Sequence, residues 1–535
     1  MIRIGQSYRK HPPEGEFDAI VIGSGIGGLA TAALLTKHAG KRIAVLERHY
    51  MPGGFTHAFR RRGYEWDVGV HYIGGMGNRK SGSLRLFEHV TDGSVEWADM
   101  GRIYDRIAIG DEIYDYEAGP DNFRARMKAY FPDEESAIDR YLELVARVER
   151  ASALYFAEKA VPVPVAFLAG SLMRLPFLRF ARRTTGEVLD ELTGNRKLKA
   201  VLTGQLGDYG LPPSRSSFAM HAILTRHYLW GGFYPVGGAS VIAAAMAPLI
   251  EAEGGRVFFQ ADVEEILIRD RRATGVRMTD GFEMNAPLVV SDAGVHNTYR
   301  RLLPGEVAEA EGLAGAPRGV PPSVGHLCLY VGFKATAAEL GLPKSNLWIY
   351  PDGDHDSNFD NYLADPKAPL PLVYVSFPAA KDPSFESRHP GRSTIELITL
   401  APYELFEAWA GSEWRKRGAE YEGLKTQLAD RALDQLDRFL PGLREKIDYM
   451  EVSTPLSTRH FAGYERGEIY GLDHSPSRFA DRSLRPKTRI PGLYLTGQDV
   501  ASCGVIGALV GGYLAGSAIL GKNLLSVAMK DGGGS

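Results

Sequence analysis

Apolar positions in this chain fall into short solid runs punctuated by glycine, more than into long amphipathic stretches. Residues 17–54 read as strand, glycine turn, helix, strand, glycine turn, with the runs Asp18-Ala19-Ile20-Val21-Ile22 and Arg42-Ile43-Ala44-Val45-Leu46 as the strands and 29–38 as the helix. Residues 82–150 look mostly helical and charged. Residues 160–183 are apolar with Pro and Arg interspersed, and Gly170 and Pro176 are expected to break any long helix there. The pattern then predicts a helix over 241–254, short strands at 256–260, 263–268 and 273–279, and a buried strand at 288–290. Strand-like runs follow within 322–402, notably 327–331 and 372–377. A helix over 418–440 is marked by Leu424, Leu428, Leu433, Leu436 and Phe439, then come a strand at 493–497 and a Gly-rich apolar helix at 504–521. No internal repeat appears.

Length changes this picture into a multidomain one, because 535 residues exceed what a single core normally organises. Strand–helix signals at the start, middle and end, separated by two long inserts, predict an α/β fold with a discontinuous Rossmann-like domain at 17–90, 235–300 and 455–525. An inserted α+β domain then occupies 91–234 and 301–454, with flexible ends at 1–16 and 526–535. Net charge is −3, so no basic face for nucleic acid is expected. Two cysteines, Cys328 and Cys503, exclude a disulfide framework or a Cys-rich metal site. Asp352-Gly353-Asp354-His355-Asp356-Ser357-Asn358 has calcium-loop spacing at first, but Ser357 stands where the turn glycine belongs and Leu363 where the bidentate Glu belongs, so no metal is expected. No signal-peptide run and no apolar stretch of about 18 residues is visible, so a cytoplasmic location is expected. Gly532-Gly533-Gly534-Ser535 reads as a linker.

The chemistry begins at Gly23-Ser24-Gly25-Ile26-Gly27-Gly28. Directly after an apolar strand, Gly23 permits the tight turn, Gly25 lets a pyrophosphate approach the backbone, and Gly28 lets helix and strand pack. The helix that follows aims free N–H groups and its positive end at phosphate. Glu47, at the end of the second strand and beside Arg48, is placed to accept ribose hydroxyls. Pro52-Gly53-Gly54 follows at once, and a glycine pair there is the pattern of flavoproteins, which favours FAD over NAD. In flavoproteins of this pattern the Val263 position meets the adenine through its backbone. Near the end, Leu495-Thr496-Gly497-Gln498-Asp499 is a strand closing on Thr-Gly and an acid. Asp499 is then a ribityl or pyrophosphate ligand, or else a helix N-cap. The helix start at Val505 and Ile506 offers N–H groups to the flavin pyrimidine edge.

Four stretches carry a family resemblance: residues 22–28; Trp66-Asp67-Val68-Gly69-Val70-His71-Tyr72-Ile73-Gly74; Ser453-Thr454-Pro455-Leu456-Ser457 through Tyr470-Gly471-Leu472-Asp473-His474; and residues 493–507. The chain resembles the carotenoid desaturase, carotenoid isomerase and retinol saturase group of flavoproteins, with most likeness to the retinol saturase branch. The likeness spans most of 17–525 and is loosest at 90–230. It implies an amine oxidase- and phytoene desaturase-like fold and redox chemistry on a C=C bond of a hydrophobic polyene or isoprenoid, with saturation expected. Desaturation or cis–trans isomerisation on the same scaffold is the alternative, and a flavin-binding, membrane-associated protein without turnover is the second. It places His71, Tyr72 and Tyr470 near the flavin as catalytic or pocket residues. A second dinucleotide fingerprint is absent, so NAD(P)H is expected only as a visiting electron donor. The segment 161–183, with Phe167, Leu168, Leu172, Leu175, Phe177, Leu178 and Phe180 beside Arg174, Arg179, Arg182 and Arg183, is expected to contact a membrane surface.

Overall fold

Four wholly buried residues, Ala19–Ile22, form a central strand of a six-stranded sheet. The sheet order is Gln6–Ser7, Arg256–Phe259, Ile43–Glu47, Ala19–Ile22, Val289–Ser291, Leu493–Leu495, and every pairing is parallel. This is a computed structural model, and it describes residues 4–79, 81–161 and 163–531. Solid apolar runs suit a sheet covered on both faces. Ala19, Val21, Val45, Val257 and Val290 face one core with helices Ile26–Ala39, Ser240–Glu251 and Gly504–Leu520. Ile20, Ile22, Ala44, Leu46, Phe258 and Val289 face another, closed by an antiparallel sheet of Val263–Arg269, Arg272–Met278 and Glu283–Asn285. Small residues set the helix contacts: a Cβ on Gly512 would stand 2.8 Å from that of Ala30.

The three separated pieces of chain do assemble into one dinucleotide-type sheet. The ends differ from expectation. Residues 4–16 are not free, since Gln6–Ser7 pairs with Arg256–Phe259 and Ile4 and Tyr8 are buried. Residues 526–531 belong to the helix Leu524–Asp531, whose Ala528 is buried. Short local patterns carry little signal when their partners are far away in sequence. Gly532 to Ser535 lie outside the described residues.

The second sheet has seven strands in the order Ile447–Ser453, His326–Phe333, Ser393–Leu400, Val373–Ser376, Asn346–Tyr350, Ile103–Ile109, Glu112–Glu117. Its pairings are antiparallel except Asn346–Tyr350 with Ile103–Ile109. The expectation that 82–150 is mostly helical fails over 97–117, where three strands lie between the helices Gly82–Thr91 and Pro120–Tyr130. The charge density of this stretch suggests an exposed helix, but charged residues interleaved with Ile and Tyr have a strand period, and Gly110 at φ +60°, followed by Asp111, turns a hairpin. The hairpin Ala58–Arg61/Tyr64–Asp67, expected in the first domain, packs on the second sheet. Trp66 Nε1 donates to the Val331 carbonyl at 3.0 Å, and Phe59, Tyr64, Cys328 and Tyr330 complete that core.

The segment expected to be broken at Gly170 and Pro176 is one helix, Val163–Ala181. Pro176 forgoes a bond to the carbonyl four residues back, at exposed Leu172, where water can replace it. Asp354 of the acidic loop caps the helix His355–Ala364 through Ser357 N at 3.1 Å, and no cluster of metal-ligating side chains occurs among the described residues.

Candidate flavin and substrate site

The carboxyl ends of the parallel strands open into a cavity of about 890 Å³, at the upper end of ordinary small-molecule sites. Gly23, Gly25, Glu47, Arg48, Gly53, Gly54, Val263, Asp499, Val505 and Ile506 all line it. Gly28 and Gly497 do not; they are packing positions. A Cβ on Gly28 would run into the Gly23 carbonyl, and one on Gly497 into Asp292 Oδ1, and Gly497 also needs φ +83°. The same cavity continues past His71, Tyr72, Tyr228, Trp348, Tyr374 and Tyr470.

Glu47 is buried and held by three donors: Ser24 N at 2.9 Å, Ser24 Oγ at 2.6 Å and His49 N at 2.7 Å. Gly53 N in turn donates to Ser24 Oγ at 3.0 Å, which ties the second glycine turn to the first. Gly54 sits so close to Gly25 that an added Cβ would stand 2.9 Å from its Cα. Asp499 is not the N-cap of Gly504–Leu520. Its Oδ2 accepts from Val295 N, at the start of the helix Val295–Asn297, at 2.8 Å and its Oδ1 from Leu472 N at 3.0 Å, which joins three segments at the cavity edge, while the N-cap residue is Cys503.

Sequence reasoning missed Asp292. It follows the strand Val289–Ser291 and lies against Gly25, Gly27, Gly28 and Gly497. Burial pushes its carboxyl up to about 8, helped by the charges of Glu47 and Asp499 and opposed by the Gly28 and Gly25 amides. A neutral acid there leaves room for a diphosphate that an ionised one would repel. An acid at the end of an apolar strand was visible, but its adjacency to Ala19–Ile22 was not.

At the other end of the cavity, His71 is neutral: burial, with Lys381 and His326 nearby, lowers it to about 3. Neither ring nitrogen has a hydrogen-bond partner among the described residues. Glu396 lies 3.8 Å from His71 Nδ1, and burial raises its carboxyl well above the usual range. Tyr72 stacks on Tyr228 with ring centroids 4.2 Å apart, and its hydroxyl reaches Asp105 Oδ2 at 2.9 Å and Asp208 Oδ2 at 3.2 Å. Tyr470 Oη donates to the Gly207 carbonyl at 2.8 Å, which commits its proton. Asp105 and Asp208 were also missed, since nothing in their local sequence marks them.

The residues fit FAD on structural grounds: a glycine floor with no space for Cβ atoms, helix N-termini facing the cavity, a neutral acid under the phosphate position, and unpartnered His71 nitrogens further along. Fold and site together define an FAD-dependent oxidoreductase, and the chain belongs to the flavin containing amine oxidoreductase family, whose model matches residues 26–520. It is 38% identical over 529 residues to all-trans-retinol 13,14-reductase of Danio rerio, covering 95% of this chain and 87% of that protein. It is 27% identical to prolycopene isomerase 1 of an Oncidium hybrid cultivar, over 90% of this chain and 80% of the relative. Cyclohexylamine oxidase from Brevibacterium oxydans shares the fold, with TM-score 0.60 at 15% identity over 97% of this chain and 99% of that one.

Proposed function

We propose that this chain is an FAD-dependent saturase that reduces one C=C bond of a retinoid- or carotenoid-like polyene. The observation that carries the reading is the single cavity that joins the glycine cradle to a wall of Tyr72, Tyr228, Trp348, Tyr374 and Tyr470. A long, flat, apolar ligand presents π-faces that such a wall stacks against. The 38% identity to a retinol 13,14-reductase supports saturation over the isomerase alternative. Bound FAD supplies hydride exchange with an alkene carbon. The chain's own residues do the rest. Neutral Asp292 tolerates the diphosphate, and the N–H groups at the start of Gly504–Leu520 favour negative charge on the ring edge they face. The aromatic wall excludes water.

NAD(P)H is the proposed visiting electron donor, because the chain carries a single GxGxxG fingerprint. The polyene is proposed to arrive from a membrane on the cytoplasmic side. No single described helix is long and apolar enough to cross one, but Leu168, Leu172 and Leu175, at 81%, 74% and 44% exposure, stand in one row on Val163–Ala181. Exposed Arg179 and Arg182 flank the end of that helix and suit anionic headgroups. The expected anchor is narrower than the apolar set. Phe177 and Leu178 point into the core, Arg174 is buried and donates to the Phe479 carbonyl at 2.9 Å, and the side chain of Phe167 lies outside the described residues.

Anaerobic mixing of the photoreduced protein with all-trans-retinol tests the activity. Reoxidation of the flavin with a two-hydrogen gain in the product is expected, and a flavin that stays reduced across a polyene panel would overturn the reading. Replacing Leu168, Leu172 and Leu175 with Ser should abolish liposome flotation; unchanged flotation removes the anchor.

A further inference from the structure

Asp208 is a carboxyl that neither the cofactor cradle nor the apolar wall requires. It ends the short helical turn Leu206–Asp208 and lines the cavity. Its backbone carbonyl lies 3.4 Å from Cys503 Sγ, the residue that starts the helix Gly504–Leu520. Asp208 therefore sits at the seam where the flavin end of the cavity meets the aromatic end. Its Oδ2 is 3.2 Å from Tyr72 Oη.

Behind the wall, on the other side of the same phenol, lies Asp105. It is wholly buried, with Oδ2 held by Tyr72 Oη at 2.9 Å and Gln205 Nε2 at 2.7 Å, and Oδ1 held by Asn346 Nδ2 at 2.8 Å. Asn346 Oδ1 in turn accepts from buried Lys381. Two carboxyls thus share one hydroxyl but differ in environment. Asp105 has three donors, and Asp208 has the phenol and the cavity. The titratable groups facing Asp208 are Asp105 on its strand, Tyr72 on its loop, Tyr228 on its helix, and Tyr209, Tyr350, Tyr374, Tyr470 and Cys503. Burial, and then the Asp105 charge, hold Asp208 well above the ordinary carboxylate range, while burial opposed by its donors leaves Asp105 at about 6. Pairs whose environments push them apart in this way divide into acid and base.

We infer that Asp208 is the acid that protonates the polyene, with Tyr72 and Asp105 as the residues that position it. The inference rests on the saturase reading. In the step, the alkene π bond opens. One carbon takes hydride, with its electron pair, from the reduced flavin of that reaction. The other takes the proton of Asp208, whose O–H bond breaks and leaves its pair on the carboxylate. After the product leaves, water entering the open cavity reprotonates the Asp208 carboxylate, so no atom or electron is left over. His71, neutral and without a proton relay among the described residues, and Tyr470, committed to the Gly207 carbonyl, are walls of the same chamber.

The test uses flavin-loaded, photoreduced protein and all-trans-retinol in D₂O under anaerobic conditions. Wild type should give a product with solvent deuterium at the protonated carbon and a second deuterium at the hydride-accepting carbon, because the hydride position of reduced flavin exchanges with solvent. Asp208→Asn should slow turnover by about 10²–10⁴-fold, with flavin content and retinol fluorescence quenching unchanged, and Asp208→Glu should restore part of it. Asp105→Asn removes the like charge, so the alkaline limb of the pH–rate profile should move to lower pH. If wild type gives no reduced product, the saturase reading fails and takes this inference with it. If wild type turns over and Asp208→Asn matches its rate, the inference alone is overturned. Should Asp208→Asn lose flavin or retinol binding, the Asp105→Asn profile decides, and an unmoved alkaline limb overturns the assignment.

Discussion

Replacing Asp292 with Asn removes a titration while keeping the shape. In the folded protein this carboxyl is raised from its ordinary 3.8 to about 8. A raised acid binds a proton that the unfolded chain releases. Its adverse contribution is therefore absent below about pH 4, grows as pH rises and levels off above about 8, at about 1.4 kcal/mol per pH unit in between. From pH 5 to pH 8 that amounts to about 4 kcal/mol, none of which the Asn variant carries. The stability difference between the two proteins should move by that amount in favour of Asp292→Asn. With about 2.1 cal/mol/K of unfolding entropy per residue over 535 residues, the shift in relative Tm is about 4 °C. Scanning fluorimetry of both flavin-loaded proteins at four pH values between 5 and 8 reads it. Bound diphosphate pushes the carboxyl further in the same direction, so the cofactor preserves the sign. Parallel Tm curves would refute the claim that Asp292 is held neutral.

Gly25→Ala should cost flavin affinity tenfold or more, about 1.4 kcal/mol, because the new Cβ runs into Asp292 Oδ2; the visible flavin absorbance of purified protein reads this. Burial alone would raise Glu65, but hydrogen bonds from His389 and Arg388 overcome it and hold the group at about 2. The stability this confers is complete above about pH 4.5 and is lost as pH falls toward 2, so Arg388→Ala should lower Tm at neutral pH and flatten the acid loss. Arg388 also pairs with Asp382 at 2.6 Å, so Asp382 loses its ion-pair partner while Glu65 keeps Arg60 at 2.6 Å, a loss of about 3–5 kcal/mol. Tyr72→Phe deletes the bridge between Asp105 and Asp208 and should slow retinol turnover by about ten- to a hundredfold at unchanged flavin content; an unaltered pH–rate profile would count against a shared proton.

Much of the cofactor site was legible in sequence because its signals are local. Gly23, Gly25, Gly28 and Glu47 lie within one strand–turn–helix–strand unit, where covalent spacing alone sets which residue turns, which approaches phosphate and which ends a strand. Gly53-Gly54, Asp499, Val505 and Ile506 line the same cavity and stand in similarly local patterns. Tertiary structure decided whatever depends on which strands become neighbours. Asp292 matters because Val289–Ser291 pairs with Ala19–Ile22 and brings it under the glycine floor. Asp105 and Asp208 meet at Tyr72 because a strand, a helical turn and a loop converge there. The strands at 97–117 were misread because their charge density suggested an exposed helix, and the partners that make them strands, Gly232–Pro235 for Trp97–Asp99 and the seven-stranded sheet for 103–117, come from distant sequence. Backbone spacing is written in the chain, whereas the field at a buried carboxyl is set by groups hundreds of residues away, and only folding brings those within reach.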